Sequence, residues 1–220
     1  MSDIPISPRR AETRQRLLEG AVGVFADRGV LAASVEEICD RAGFTRGAFY
    51  SNYASKNDLV LALLAQDRAR QEAMVAGVAG SDLVSQPVTT SQELSTLVES
   101  AVRRFASLQR LDRDWVMASA ELHLYAAREP EIREAYLAHQ RATRASLLRG
   151  ALTIAGMCGW EFSVPEDSVL QILENMYDGA VLQALLLHPD LGDEERVQAC
   201  LGPFIHVMAS IVRPVGAPPA

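Results

Sequence analysis

The residues with the most capacity for chemistry lie in one short run, Gly43-Phe44-Thr45-Arg46-Gly47-Ala48-Phe49-Tyr50, with Asn52, Tyr53 and Lys56 close behind. An arginine guanidinium carries a fork of donors that matches guanine O6 and N7, which makes Arg46 the candidate for direct base readout. Gly47 and Ala48 have almost no side chain, so their backbone can come close to a base-pair rim, and the Ala48 methyl can meet a thymine methyl. Phe49 turns inward and Tyr50 outward, where its hydroxyl can reach a phosphate or a base. Thr45, Asn52, Tyr53 and Lys56 suit backbone-positioning roles, with the Lys56 ammonium as a point charge. The helix starts at Ser34 and at Ser55–Lys56 offer free N–H groups that suit phosphates. Arg9, Arg10 and Arg14 add positive charge nearby. Taken singly, each is an ordinary surface residue; their joint occurrence on short capped helices points to double-stranded DNA.

Other chemistries leave no trace. The chain has no nucleophile elbow, P-loop, dinucleotide fingerprint or HExxH pair, so no enzyme is expected. His123 and His139 are not at a metal-binding spacing, and neither a metal nor a cofactor is expected. Cys39, Cys158 and Cys200 are odd in number and lack a CxxC, which argues against a disulfide framework or a structural zinc site. Cys39 is expected to be a small buried apolar residue.

These side chains need short elements to hold them. Leu17, Leu18, Ala21, Val22, Val24 and Phe25 form one helical stripe, and Gly29 suits the turn that ends it. Ser34-Val35-Glu36-Glu37 is a capping box that opens a second helix. Gly43 interrupts that helix, Thr45 caps a third running to about Asn52, and Ser55 caps a fourth carrying Leu59, Val60, Leu63 and Leu64. Two short helices joined by a Gly-containing turn and framed by longer ones spell a helix-turn-helix over residues 34–53. Residues 77–92 are rich in Gly, Ser, Thr and Pro and are expected to be a linker. Helices are expected at about 93–108 and 113–128, from Pro130 to about Ala155, over about 166–188, and from Asp193 onward. The expectation is all-α, with about nine helices and no strand.

Composition sets the class. Of 220 residues, 49% are hydrophobic and 22% charged, as in a globular protein, and the net charge is −7. The charge is uneven: residues 1–56 hold eight basic and seven acidic side chains, leaving thirteen basic against twenty-one acidic in the rest. A weakly basic head and an acidic body suggest two parts with two jobs. The N-terminus lacks the apolar stretch of a signal peptide, and no membrane span or membrane partner is expected; a cytoplasmic location is.

The segment from Ala11 to Leu64 resembles the DNA-binding domain of TetR-type transcriptional regulators. The carrying residues are Thr13-Arg14-Gln15, Ala21 to Phe25, Gly29, Ser34 to Ile38, Ala42 to Tyr50, Tyr53 and Ser55 to Leu59. Where many family members have His then Phe after the third helix's aromatic pair, this chain has Asn52 and Tyr53. The resemblance implies a flexible arm over 1–10, a DNA-binding head over 11–71, and a helical ligand-binding and dimerisation domain over 72–220. It implies a homodimer on a pseudo-palindromic operator, repressing until an unknown small molecule releases it by shifting the fourth helix. The alternative is a regulator whose C-terminal part only dimerises or binds proteins. Candidate ligand-lining residues are Phe105, Trp115, Met117, Glu121, Leu122, Tyr125, Tyr136, Met176 and Tyr177. The broadly apolar helices over 168–188 and after Asp193 supply the candidate dimer residues Leu173, Ala180, Val181, Phe204, Met208 and Ile211.

Overall fold

The computed structural model describes residues 7–79, 91–108, 110–157 and 159–216. Among them are ten α-helices and two short strands. The helices are α1 (Pro8–Arg28), α2 (Val35–Ala42), α3 (Arg46–Tyr50), α4 (Lys56–Ala79), α5 (Ser91–Leu108), α6 (Arg113–Arg128), α7 (Pro130–Met157), α8 (Glu166–Leu187), α9 (Asp193–Cys200) and α10 (Gly202–Ser210). The fold is all-α in class. Residues 1–6 of the expected arm, residues 80–90 of the expected linker and Cys158 lie outside the described residues.

The helix boundaries follow local chemistry. The Ser7 side chain accepts from the Arg10 N–H, and Pro8 supplies a first helical residue that needs no donor. α1 therefore begins inside the segment expected to be a flexible arm. Gly43 ends α2 at φ 73°, and its N–H closes on the Asp40 and Cys39 carbonyls. A side chain with a Cβ is strained in that left-handed conformation. Gly20 has a different reason: a Cβ there would lie 3.0 Å from the Ala42 Cβ, so its absence lets α1 and α2 pack closely.

Two expectations are corrected. The helix expected after Asp193 is two helices, because Pro203 has no N–H to continue the ladder through Leu201 and Gly202. The chain is not strand-free: β1 (Trp160–Phe162) pairs antiparallel with β2 (Val212–Pro214), Glu161 opposite Arg213. Arg213 Nη2 lies 2.9 Å from Glu161 Oε1, and the Ser163 N–H donates to the Ile211 carbonyl at 2.7 Å. Three-residue strands are too short to show an alternating pattern.

The chain divides into two compact units. The first joins residues 1–67 with 112–139, and the second joins 68–111 with 140–220. The core of the first unit is built around Leu17, Phe25, Ile38, Phe49, Tyr53, Leu59 and Leu63, with Leu122, Tyr125 and Ile132 from α6 and α7. This first unit takes in α6 and the start of α7, and residues 68–71 fall in the second. In the second unit α8, α9, α10 and α5 pack together, with Val169, Ala184, Leu201 and Phe204 buried.

Candidate nucleic-acid interface

The exposed edge of the first unit is built on α2 and α3. The capping box that starts α2 is complete: Ser34 Oγ accepts from the Glu37 N–H, and Glu37 Oε2 accepts from the Ser34 N–H at 2.9 Å. These bonds, first to the backbone and then to the side chain of Ser34, hold the Glu37 carboxyl below its usual range. Thr45 Oγ1 accepts from the Ala48 N–H and opens α3.

α3 sorts its side chains into two sets. Phe49 is fully buried and meets the Tyr50 ring edge-on at 5.3 Å. Arg46, Gly47 and Tyr50 face outward, with the Arg46 side chain 61% exposed. A Cβ on Gly47 would meet only Thr45 Oγ1, at 3.7 Å, so the backbone there is open to an approaching surface. Arg46 Nη1 lies 2.7 Å from Glu36 Oε1, and the guanidinium carbon is 5.9 Å from the Tyr50 ring centre. The Tyr50 hydroxyl first, and the Glu36 carboxylate second, push the guanidinium's pKa up.

The start of α1 is bonded to the end of α3. Arg10 donates to Asn52 Oδ1 at 3.3 Å and to the Ser51 carbonyl at 3.1 Å, while Arg14 donates to the Asn52 carbonyl at 2.8 Å. Asn52 Nδ2 donates to the Ala48 carbonyl at 2.8 Å. A shallow open groove runs here, lined by Arg9, Arg10, Thr13, Ala48 and Asn52 among others. Thr45, Arg46, Gly47, Ala48, Tyr50 and Asn52 thus come together on one side of the head.

Two expected contact residues do not join them. Tyr53 is 1% exposed; its ring packs under the Arg14 guanidinium at 4.4 Å and its hydroxyl donates to the Arg14 carbonyl. Burial raises its pKa. Lys56 turns inward: its ammonium donates to the carbonyls of Val30, Leu31 and Ala33 at 2.7, 3.2 and 2.8 Å. Burial pushes its pKa down, while the three acceptors reward the charged form. It ties α4 to the α1–α2 connection. Ser34 is also spent on its own helix. Cys39 is buried, and that burial, more than Asp40 and Glu36, raises its thiol pKa.

Of the expected ligand-lining residues, Leu122 and Tyr125 are core residues of the first unit, with Trp115 and Tyr136 packed against that core. The Tyr125 hydroxyl donates to Asn57 Oδ1 at 2.7 Å, and Asn57 Nδ2 donates to Glu131 Oε2 at 2.8 Å. The Tyr136 hydroxyl is 3.4 Å from His123 Nδ1. The Glu121 carboxylate sits beside Gly29, and Met117 and Met176 are half-buried. The side chains of Phe105, Tyr177 and Leu173 lie outside the described residues. Val181, Phe204, Met208 and Ile211 are buried within the single chain and Ala180 half so, whereas Leu182, Leu186 and Leu187 of α8 are exposed.

Asn57, Glu131 and Glu36 were not singled out by sequence. No local pattern marks Asn57 and Glu131 as partners, since their bond spans 74 positions, and Glu36 lies in the capping-box run with nothing local to pair it with Arg46.

Comparison with known proteins gives the same outline. The family model for bacterial regulatory proteins of the tetR family matches residues 17–63, and the model for the tetracyclin repressor-like C-terminal domain matches residues 89–206. The chain is 28% identical over 168 residues to the transcriptional repressor AcnR of Corynebacterium diphtheriae, covering 76% of this chain and 78% of that protein. It is 35% identical over 96 residues to the transcriptional activator FasR of Mycolicibacterium smegmatis, covering 44% and 40%. The fold is similar to that of the fatty acid degradation regulator FadR from Bacillus halodurans, with a TM-score of 0.66 at 16% identity over 93% of this chain and 96% of that one. FadR from Bacillus subtilis, solved in complex with stearoyl-CoA, gives 0.62 at 18% identity, over 89% and 97%. Among the described residues no helix is long and apolar enough to cross a membrane, and no cluster of three or more acidic, His or Cys side chains fits a metal ion.

Proposed function

The chain belongs to the tetR family of bacterial regulatory proteins, and from that premise we propose that it is a homodimeric repressor, reading a pseudo-palindromic operator with α3 and leaving it when a small molecule binds. The family is one of DNA-binding transcriptional regulators and not of enzymes. The observation that carries the reading is the sorting on α3: Phe49 anchors the helix while Arg46, Gly47 and Tyr50 stay exposed on it. In the major groove such a helix presents Arg46 to a guanine edge and brings the Gly47 backbone close to the base pairs. Thr45, Ala48 and Asn52 complete the contact surface, and Arg9 supplies charge to a phosphate. Tyr53 and Lys56 hold the helix in place from within.

Repression is favoured over activation because AcnR, named a repressor, aligns over 76% of this chain and the activator FasR over 44%. A homodimer follows from electrostatics. Residues 1–56, which carry the contact surface, hold eight basic and seven acidic side chains and so neutralise few phosphates, and affinity for DNA rides on that neutralisation. Two heads on two half-sites double it. The exposed Leu182, Leu186 and Leu187 of α8 are the surface proposed to bring the copies together.

Release requires the effector to prefer the DNA-incompetent conformer; a coupling of about 1–3 kcal/mol weakens operator binding roughly 5- to 150-fold. The head takes in α6 and the start of α7, bonded to α4 through Tyr125, Asn57 and Glu131, so a displacement of α4 is felt in the head directly. The test is genome-wide mapping of bound DNA followed by footprinting with the purified protein. Two protected half-sites about one helical turn, or a multiple of it, apart are expected. A protein that retards no duplex overturns the reading. A metabolite library screened by thermal shift then identifies the effector, which must also weaken operator binding.

A further inference from the structure

The exposed carboxylate of Glu36 sits on the reading edge, where a polyanion has to approach. A negative charge there costs affinity for every phosphate in reach. It is nonetheless on a rigid base: Glu36 is the second residue of α2, between the Ser34 and Glu37 that close the capping box. Its Oε1 meets Arg46 Nη1 at 2.7 Å, and Tyr50 lies beside the same guanidinium, four residues along α3. The arginine fork is therefore held between an acid on one helix and a ring on another.

From this juxtaposition we propose that Glu36 is a specificity-determining residue: it positions Arg46 for a base edge and holds it off the phosphates. The inference rests on the reading of α3 as the base-contacting helix. An exposed guanidinium on a flexible stem meets two attractions near DNA. Any phosphate offers sequence-independent charge, and only a guanine edge offers two matched acceptors in the groove. A carboxylate fixed beside the fork opposes the first, since the nearby anion offsets the charge a phosphate would otherwise attract. It favours the second, since the fork enters the groove already oriented and loses less freedom on bonding. Glu36 thus lowers affinity for DNA in general and raises the ratio of specific to non-specific binding. A surface ion pair with no such work would contribute little to stability and nothing to base choice.

The experiment uses the full chain. Wild-type protein first selects duplexes from a random-sequence pool. Binding of wild type, Glu36→Gln, Arg46→Ala and the double variant is then measured on the selected duplex, on its single-base variants and on a scrambled duplex. Thermal melting checks that each variant folds. The Glu36→Gln protein is expected to bind the scrambled duplex more tightly and to lose about tenfold in its selected-to-scrambled ratio. Its preference should relax at the same base pair that Arg46→Ala relaxes, and the double variant should relax it no further than Arg46→Ala alone. An equal gain on both duplexes, with every base preference intact, overturns the inference and leaves the reading of α3 standing. A wild-type protein that selects no duplex overturns both.

Discussion

Arg46 and Lys56 are both cations of the head, and their surroundings give them opposite work. Arg46 is exposed, and its fork is shared between Glu36 and Tyr50. Its removal should cost about 1–3 kcal/mol on the preferred duplex and relax the choice of one base pair, read by binding to a single-substitution duplex series. Lys56 is committed to three carbonyls. A Lys56→Met variant should lose about 1–3 kcal/mol of folding stability in urea titration, because the part-buried carbonyl bonds at Val30 and Ala33 lose their donor. Its fully folded fraction should keep the wild-type salt dependence of DNA binding. A reduced salt slope would return Lys56 to the phosphates. Both lysine and arginine are legible in the sequence as types suited to DNA; which of them stays exposed depends on the carbonyls that the α1–α2 connection presents.

At the scale of the element, the capping box decides whether α2 starts where α3 needs it. Ser34→Ala should destabilise the chain by about 1 kcal/mol, measured by chemical denaturation. The same box predicts a pH dependence. The Glu37 carboxyl is held down by its bonds to Ser34, so between its folded value and the ordinary ~4.3 the unfolded chain binds more protons. Its contribution is therefore fully present above that window and is lost as pH falls through the folded value. Glu37→Gln should flatten the acid limb of a stability–pH curve in that window and leave the neutral region with a small, pH-independent offset. The end of α1, both ends of α2 and the start of α3 are legible in the sequence because each is set by bonds over three or four residues, whereas the start of α1 at Pro8 and the end of α3 at Tyr50 are not. The break between α9 and α10 is only partly legible, since Gly202-Pro203 interrupts the run but the residues beyond it continue an apolar helical pattern.

For the whole molecule, the exposed leucines of α8 are an apolar group, among the described residues, that a single chain leaves uncovered. Leu186 is 80% exposed, and Leu182 stands one turn before it. Placing a charge there, as Leu186→Glu, should leave a protein whose light-scattering mass is that of one 23.9 kDa chain and which no longer retards the selected duplex. A mass of two chains would move the proposed dimer contact to another face. Loss of the second head should also roughly halve the slope of log affinity against log salt for any residual binding, because each head neutralises its own set of phosphates.

The sequence by itself determined the helical class, the two short capped helices and the residue types on the reading edge. Each of these is written in signals that act across one helical turn: a capping serine, a turn glycine, an apolar stripe. Tertiary structure alone decided that Tyr53 and Lys56 face inward, and that Val181, Phe204 and Met208 are core while Leu186 is surface. It also decided that α6 belongs with the head and that Glu161 finds Arg213. Those outcomes rest on partners 26, 39 and 52 positions away, and a broadly apolar helix does not say which of its faces the rest of the chain will reach first.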